Sequence, residues 1–402
     1  MSFICTSMMA HSVKPGDAAV ASRRRGVGAV CLLSFVLSSS PTVRAQEGGD
    51  ERQAPPAPGG LPGGLPGGAA TLEDVYKPDD VSRAVERALV YLRDKQQADG
   101  SWLCGWGKNT GVISLSLMAY LAAGHQPGRG EYGVLLENGV GFLIRQRHGA
   151  LLIRPKDTSH GPLYEHGITT LLLGEIRGLI DEDRPGFEDL ARVHQEAVDV
   201  ILGAQRMAPA SGVDQGGWRY TPTTQDADLS VTGWQLLALR AAQDVRVDVP
   251  EARIEAAIGY IKRCADEGSG GFTYMPRRNH KPNPAMTGTG VLSLEICGEF
   301  GSAEARRGGD WLLRHPLEWK GPFFYYNSYY SSQAMFQLGS RYWDSWCAGS
   351  RDLLLNHQES DGSWSSPPGE TSVVRQLGPV YNTAMAVLAL TVEFQYLPIY
   401  QR

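Results

Sequence analysis

A short turn made of glycine followed by an aromatic residue occurs six times in this chain, at intervals of about 40 to 60 residues. The six turns are Gly100-Ser101-Trp102, Gly161-Pro162-Leu163-Tyr164, Gly216-Gly217-Trp218, Gly270-Gly271-Phe272, Gly321-Pro322-Phe323 and Gly362-Ser363-Trp364. Repeats of this length are typical of arrays of helix pairs, in which each pair buries its apolar face against its neighbours. The turns therefore predict a helical repeat protein.

The two helices of each repeat differ in pattern. The helix before each turn carries a one-sided apolar stripe, as in Val85, Ala88, Leu89 and Leu92, which is typical of a half-exposed outer helix. The helix after each turn is apolar around its whole circumference, which indicates burial on all sides. The first helix of each repeat is therefore predicted to lie outside, and the second inside.

One position of the inner helices is small in all six repeats. Aligning these helices brings together Ser114, Thr169, Gly233, Gly288, Ser332 and Ala384. Small residues are needed where helix backbones approach closely, and an open row of six buried helices would expose two apolar flanks to water. The sequence thus predicts an all-α fold, a single six-repeat α/α toroid over residues 76–402 with a central hollow.

Two of the turns carry a longer motif, Q-x-x-D-G-S-W. It occurs at residues 96–102 and again at residues 358–364. This motif resembles the glutamine–tryptophan repeat of squalene and oxidosqualene cyclases, also described as the prenyltransferase and squalene oxidase repeat. The resemblance implies an (α/α)6 toroid similar to the toroid domain of squalene (hopene) cyclases and to protein prenyltransferases. It also implies that the Gln and Trp residues tie the outer helices to the turns.

The segment before the third inner helix reads Asp226-Ala227-Asp228-Leu229. It resembles the D-x-D-D motif of class II terpene cyclases, in which the middle Asp protonates an alkene or epoxide. The resemblance makes Asp228 the candidate catalytic acid, with Asp226 in the first position of the motif and Leu229 in place of the last Asp. Asp at a helix start also caps backbone N–H groups, which favour its ionised form. We expect Asp228 to be such a cap with a lowered pKa.

Aromatic residues are frequent at the turns and at the starts of the inner helices. The candidates for contact with a ligand are Trp218, Tyr220, Trp234, Tyr274, Tyr326, Tyr329 and Tyr381. Glu165 and His166 open the second inner helix and are candidates for an acid–base pair that faces the hollow, or for helix-capping residues. A π-rich lining suits carbocations, apolar isoprenoids or stacked sugar rings, whereas aromatic plugs at the ends of the barrel are the structural alternative.

The residues argue against the zinc site of a protein prenyltransferase and against a nucleic-acid partner. Protein prenyltransferases bind zinc through an Asp-x-Cys pair, and Asp344-Ser345-Trp346-Cys347 has the wrong spacing for one. A net charge of −5 argues against a nucleic-acid partner. We expect no metal and no cofactor. Four cysteines lie beyond residue 45: Cys104, Cys264, Cys297 and Cys347. They form no C-x-x-C pair, and Cys104 and Cys347 would be neighbours in a closed ring.

The N-terminus has the pattern of an export signal. Arg23-Arg24-Arg25 precede an apolar run from Val27 to Leu37, and small residues ending at Ala45 follow. The run is too short to span a bilayer, so no transmembrane segment is expected. Residues 1–45 are therefore predicted to be a signal peptide for export to the periplasm or the exterior. The Pro- and Gly-rich residues 46–75 are predicted to be a flexible linker.

These features predict an exported toroid that binds an apolar, isoprenoid-like ligand or a protein partner in its hollow. Two alternatives stay open: an active class II terpene cyclase with Asp228 as general acid, and a carbohydrate-active α/α-barrel enzyme with paired carboxylates. Triterpene cyclases have two helical domains, whereas this chain has one toroid of about 330 residues. Binding is therefore favoured over cyclisation.

Overall fold

The computed structural model describes residues 79–158, 161–181, 184–207, 212–276 and 279–401. These residues belong to one compact unit, Ala70–Arg402. The predicted signal peptide and linker, residues 1–75, lie outside the described residues. The described chain is all-helical, with isolated β-bridges only and no strand, so the predicted fold class is confirmed.

The helices alternate between an outer and an inner layer. The outer helices are α1 (Asp80–Lys95), α3 (Gly133–Ile144), α5 (Leu190–Ala204), α7 (Glu251–Cys264), α9 (Ala303–Arg314) and α11 (Ser340–Leu355). The inner helices are α2 (Thr110–Ala122), α4 (Pro162–Leu179), α6 (Leu229–Asp244), α8 (Pro284–Ile296), α10 (Phe324–Leu338) and α13 (Gly378–Leu390). A short helix, α12 (Ser372–Arg375), precedes the last inner helix, and 3₁₀ turns occur at Gly212–Asp214, Val392–Phe394 and Pro398–Tyr400.

The inner helices form a closed ring. Each packs against the next one along the chain, and α13 packs against α2. The outer helices α1, α5, α7, α9 and α11 each lie over the groove between the inner helix of their own repeat and that of the preceding repeat. Because the first and last repeats touch, no apolar flank of the inner layer is left at a chain end. The described repeats form the predicted six-repeat α/α toroid.

Glutamine side chains join successive repeats. Gln96 Nε2 donates to the backbone carbonyl of Leu135 in α3 at 3.0 Å. Gln205 makes the equivalent bond to α7 at 2.8 Å. Gln358 Nε2, in the last repeat, donates to the carbonyl of Ala84 in α1 at 2.8 Å and so joins the two ends of the ring. Each of these amides also bonds its own turn, which fixes the angle between neighbouring repeats.

The turn tryptophans are structural. Three are fully buried and donate Nε1–H to an outer-helix carbonyl of their own repeat: Trp102 to Leu92 at 2.7 Å, Trp218 to Ile201 at 2.7 Å and Trp364 to Leu354 at 2.8 Å. The preceding glycine is required, since Gly100 has a φ of +90° and a Cβ there would lie 2.2 Å from the carbonyl oxygen of Asn138. The predicted structural role of Trp102 and Trp364 is confirmed.

The small positions of the inner helices lie where those helices meet. All six are buried, as predicted. Ser114 Oγ and Thr169 Oγ1 are 2.9 Å apart across the α2–α4 contact. A Cβ on Gly233 would lie 2.5 Å from the methyl group of Thr289. Ring closure therefore depends on the absence of bulk at these positions.

The C-terminal segment closes one end of the ring. Pro398–Tyr400 packs on α4 and α6 at the C-terminal ends of the inner helices. The Tyr400 hydroxyl bonds that of Tyr329, and Gln337 Nε2 donates to the Tyr400 carbonyl at 3.2 Å. The Ile399 N–H lies 3.3 Å from a carboxylate oxygen of the buried Glu175, and burial raises the pKa of Glu175 to about 8. This end of the barrel is filled with protein, which leaves the hollow at the opposite end.

Candidate functional site

A cavity of about 540 Å³ lies between the N-terminal turns of the inner helices. All six inner helices contribute to its wall, together with the turns before them and the short helix α12. Because the C-terminal ends of the inner helices are closed by packed side chains and the C-terminal segment, the cavity opens at the other end of the toroid. Its size falls within the range of small-molecule sites, about 300–1,000 Å³.

The wall of the cavity is mainly aromatic and aliphatic. The aromatic residues are Trp106, Tyr164, Tyr220, Trp234, Tyr274, Phe323, Tyr326 and Tyr381. The larger aliphatic residues are Val112, Leu115, Ile168, Met286, Val373, Val374 and Leu377. Among the described lining residues, Glu165 and Arg219 are the charged ones. The surface that a ligand would meet is therefore apolar, with hydroxyl groups carried by tyrosines.

Some predicted site residues lie in this wall and others do not. Those that line the cavity are Tyr220, Trp234, Tyr274, Tyr326, Tyr381 and Glu165. Those that lie outside the lining are Trp218, Tyr329, His166, Asp226 and Asp228. Trp218 packs against an outer helix through the bond to Ile201 described above. Ligand contact by the lining residues stays a prediction.

Trp234 forms the inner end of the cavity. Its indole stacks on the ring of Tyr329 with 5.8 Å between centroids and 9° between planes. Tyr330 meets the same indole edge-on at 5.2 Å. Tyr329 in turn contacts Tyr400 of the closing segment through its hydroxyl. A continuous aromatic stack thus separates the cavity from the closed end of the barrel, and Trp234 is the member of the stack that lines the cavity.

Glu165 and His166 point in different directions. Glu165 lines the cavity and accepts a hydrogen bond from Asn109 Nδ2 at 2.8 Å. His166 is fully buried between layers, where Nδ1 accepts from the Leu152 N–H at 3.0 Å and Nε2 lies 3.0 Å from the Ala197 carbonyl. Burial lowers the pKa of His166 to about 4, so the ring is neutral. The two residues do not form an acid–base pair that faces the cavity.

Asp228 is both a helix cap and a buried acid. Its Oδ1 accepts from the Val231 N–H at 3.0 Å and from Ser230 Oγ at 2.6 Å, so the expected N-cap is confirmed. The expected lowering of its pKa is wrong. Burial raises the pKa to about 6 although Ser230, Val231, Arg219 and Tyr274 oppose the change. The side chain is fully buried, and removal from water outweighs the hydrogen bonds of the cap.

Arg219 joins both aspartates of the D-x-D segment to the cavity wall. It forms an ion pair with Asp226, and its Nε lies 3.7 Å from Asp228 Oδ2. The guanidinium also lies over the rings of Tyr220 and Tyr274, at 5.1 Å and 5.9 Å from their centroids. The positive charge of Arg219 is therefore neutralised by its protein neighbours.

The segment around α12 was not foreseen from the sequence. Val373, Val374 and Leu377 contribute to the cavity wall although none of them is fully buried. Glu370, just before α12, accepts the Phe323 and Phe324 N–H groups at 2.9 Å and 3.2 Å and so caps α10. This anchor holds an otherwise irregular connection over the cavity.

Two other lining residues, Arg219 and Ser230, were also missed. The one sequence signal near them is a polar residue at the start of three of the inner helices, α2, α6 and α8. Asn109, Asp228 and Asn283 each cap their helix by accepting an N–H three residues on. That pattern marks the end of the barrel at which the cavity lies.

The described residues contain neither a cluster of metal-ligating side chains nor a helix that could span a membrane. In this part of the chain, no three His, Cys, Asp or Glu side chains are grouped so that they could hold a metal ion. Every helix within the described ranges is too short or too polar to cross a bilayer. The four cysteines in these ranges are free thiols, so the ring is not closed by a disulfide.

Comparisons with known proteins support the fold. No protein-family model matches the sequence, and no curated protein matches it. A GH76A α-1,6-mannanase from Salegentibacter has a similar structure, with a TM-score of 0.58, 12% identity, and coverage of 79% of this chain and 99% of the mannanase. A possible GH105 family member from Salmonella enterica gives a TM-score of 0.54, 10% identity and coverage of 80% and 95%.

A type II terpene cyclase from Scytonema is also similar, with a TM-score of 0.47, 12% identity and coverage of 80% of this chain and 98% of the cyclase. The α/α toroid is the common feature of these structures. At such low identities, the two likenesses with TM-scores above 0.5 establish the fold and leave the ligand to be argued from the cavity.

Proposed function

We propose that this protein binds an apolar small molecule of the isoprenoid class in the cavity between the N-termini of its inner helices. The proposal rests on the wall of the cavity, in which aromatic and aliphatic side chains predominate over charged ones. Burial of apolar ligand surface against such a wall contributes about 25 cal/mol per Å². A cavity of about 540 Å³ admits a small molecule and is too small for a folded protein partner.

The charged groups of the wall support an apolar ligand as well. Glu165 is bonded to Asn109, and Arg219 is paired with Asp226 and lies near Asp228. Because the charge of Arg219 is already compensated by Asp226 and Asp228, a negatively charged ligand would gain little from it and would lose its own hydration. The wall therefore favours a ligand with few polar atoms.

Binding is a better fit than cyclisation by Asp228. The carboxyl of Asp228 lies behind Ser230 and outside the cavity lining, so it has no direct contact with the space that a ligand would occupy. A general acid must lie within hydrogen-bond reach of the atom that it protonates, directly or through one water molecule. Asp228 instead bonds the Ser230 hydroxyl and the Val231 N–H with the same carboxylate oxygen. We also propose that the repeats are related to those of squalene cyclases and that the protein is exported from the cytoplasm.

A glycan-active enzyme is the second candidate. It is favoured by the structural likeness to an α-1,6-mannanase and to a possible GH105 member, and aromatic walls also stack on sugar rings. Hydrolysis of glycosidic bonds commonly uses two carboxyl groups about 5 to 9.5 Å apart across the scissile bond. Glu165 is the carboxylate of the described lining, and a second one would have to be Asp228 behind Ser230. The fold comparisons favour this candidate, whereas the single carboxylate of the described lining favours the first one, so both are carried into the test.

The test is a binding measurement with one ligand of each class. Farnesol and α-1,6-mannotetraose are titrated into the purified protein by isothermal calorimetry. We expect farnesol to bind and mannotetraose not to bind. Val374→Trp, which adds bulk to the cavity wall, should abolish farnesol binding, whereas Val134→Trp on the exposed surface of α3 should leave it unchanged. Binding of mannotetraose without binding of farnesol would establish the glycan candidate instead.

A further inference from the structure

A chain of hydrogen bonds leads from the cavity to a buried carboxyl group. The Tyr164 hydroxyl donates to Ser230 Oγ, and Ser230 donates to Asp228 Oδ1 at 2.6 Å. Tyr164 and Ser230 line the cavity, whereas Asp228 is fully buried behind them. Tyr164 belongs to α4 and the other two to the start of α6, so the chain crosses the contact between two inner helices. It is one of two polar links between the cavity and Asp228, since Arg219 also lines the cavity and lies 3.7 Å from the other carboxylate oxygen.

We propose that this chain recognises a hydroxyl group of the ligand, which makes the ligand an isoprenoid-class alcohol rather than a hydrocarbon or an ether. An ionised carboxylate accepts hydrogen bonds and donates none. Ionised Asp228 therefore obliges Ser230 to donate inward, and Ser230 in turn accepts from Tyr164. The phenol oxygen of Tyr164 then offers its lone pairs to the cavity and selects a ligand group that donates. This inference rests on the proposed binding of an apolar ligand.

Protonation of Asp228 reverses the chain. A carboxyl that carries its proton on Oδ1 donates to Ser230, Ser230 then donates to Tyr164, and the Tyr164 O–H turns toward the cavity. The same wall now selects a ligand group that accepts a hydrogen bond, such as an ether oxygen. No covalent bond to the ligand forms or breaks, since the three hydroxyl and carboxyl protons only change direction. The protonation state of a buried acid thus sets whether the cavity recognises donors or acceptors.

The environment of Asp228 makes this change accessible near neutral pH. Burial raises its pKa to about 6, so the carboxylate predominates at pH 7.5 and the neutral acid at pH 5. The ionisable side chains whose titration is influenced by the Asp228 charge come from the turns, α4, α7 and α10: Arg219, Tyr220, Tyr274, Tyr164, Tyr260, Cys264 and Tyr326.

The charge state of these neighbours does not change over the same pH range. Burial raises the pKa of each of the tyrosines and of Cys264 above its ordinary value, so all of them stay neutral between pH 5 and 8. Arg219 stays positive, and Asp226 is its ion-pair partner. His280 contacts the ring of Tyr274 at 5.9 Å between centroids, and it is therefore included as a control in the experiment.

The experiment compares two matched ligands at two pH values. Farnesol donates and accepts hydrogen bonds, whereas farnesyl methyl ether only accepts. We expect the ratio of farnesol affinity to ether affinity to fall by about fivefold between pH 7.5 and pH 5.0, the effect of one hydrogen bond. Calorimetric titration of both ligands into the full chain gives the ratio directly.

Three variants locate the effect. Asp228→Asn still accepts from Ser230 and Val231 but cannot change charge, so it should keep the preference for farnesol at both pH values. Tyr164→Phe removes the hydroxyl that meets the ligand and should abolish the preference at both pH values. His280→Gln should behave as wild type. Thermal melting of each variant confirms that it is folded, and Tyr164→Phe keeps the test valid if Asp228→Asn is unstable.

Three results would contradict the inference. Binding of both ligands with the same affinity ratio at both pH values would overturn it and leave the proposed function standing. The same holds if His280→Gln, and not Asp228→Asn, removes the pH dependence. Failure of both ligands to bind at either pH would overturn the proposed function and this inference with it.

Discussion

Glu175 provides a sharp test of how the barrel is closed. Its carboxyl is buried near the C-terminal end of α4 and accepts the Ile399 N–H at 3.3 Å. Burial raises its pKa from 4.5 to about 8. A raised pKa means that the folded state holds the proton more firmly than the unfolded state. The stability that Glu175 contributes is therefore complete below pH 4.5 and is lost as the pH rises through 8.

The magnitude follows from the two pKa values. At about 1.4 kcal/mol per pH unit, the difference between about 8 and 4.5 corresponds to about 5 kcal/mol over the whole titration. Between pH 7 and pH 9 the expected loss is about 1 kcal/mol. The unfolded state is ionised at both pH values, whereas the folded state changes from mostly protonated at pH 7 to mostly ionised at pH 9. Glu175→Gln stays neutral and can still accept from Ile399, so this variant should lack the loss.

Urea denaturation at pH 7 and pH 9 measures the effect. The free energy of unfolding of the wild type should fall by about 1 kcal/mol more than that of Glu175→Gln. Glu255→Gln, at an exposed position of α7, is the matched control and should follow the wild type. Equal losses in the wild type and in Glu175→Gln would refute the description of Glu175 as a buried, protonated group beneath the C-terminal segment.

Three further predictions concern the ring and the cap. Trp364→Ala should lower the free energy of unfolding by about 3–5 kcal/mol in urea denaturation, because it removes a fully buried ring and its hydrogen bond to the Leu354 carbonyl. Gly233→Ala should lower the melting temperature, since its methyl group would lie 2.5 Å from Thr289, and an unchanged melting temperature would contradict the close helix contact. The raised pKa of Asp228 predicts that acidification from pH 7 to pH 5 stabilises the wild type by about 1 kcal/mol relative to Asp228→Asn; equal pH dependence would contradict it.

The fold could be predicted because its constraints repeat within each helix pair. Gly100 needs a positive φ, and Trp102 must bury its ring and bond its own outer helix. Gly233 must leave room for the next inner helix. Such requirements are satisfied by residue type at a fixed offset, so they recur in the sequence from one repeat to another. Closure then follows from the apolar circumference of the inner helices.

The cavity residues were harder to predict because residue type does not encode direction. Trp218 and Tyr220 are two residues apart, yet Trp218 packs on α5 and Tyr220 lines the cavity. Tyr326 and Tyr329 lie on one helix, yet Tyr326 reaches the cavity while Tyr329 contacts Tyr400 at the closed end. The distinction depends on depth along the barrel, which is set by the packing of several repeats.

The error at Asp228 has a related cause. The sequence shows that Asp228 stands at a helix start, where backbone N–H groups lower the pKa of a carboxyl. It does not show that Trp218, Tyr274 and the first turn of α6 remove Asp228 from water. In the structure, the Asp228 N–H bonds the Trp218 carbonyl and the Leu229 N–H bonds the Tyr274 carbonyl, which brings these residues around Asp228. Desolvation is a property of the assembled ring, and here it outweighs the local effect of the cap.

A crystal structure of the protein with farnesol tests the proposed function most directly. We expect electron density for the isoprenoid chain between Trp234 and α12, with the farnesol hydroxyl within hydrogen-bond distance of the Tyr164 oxygen. The same soak with Val374→Trp should show no ligand in the cavity. An empty cavity in wild-type crystals at saturating farnesol, or farnesol bound only on the outer surface of the toroid, would contradict the account.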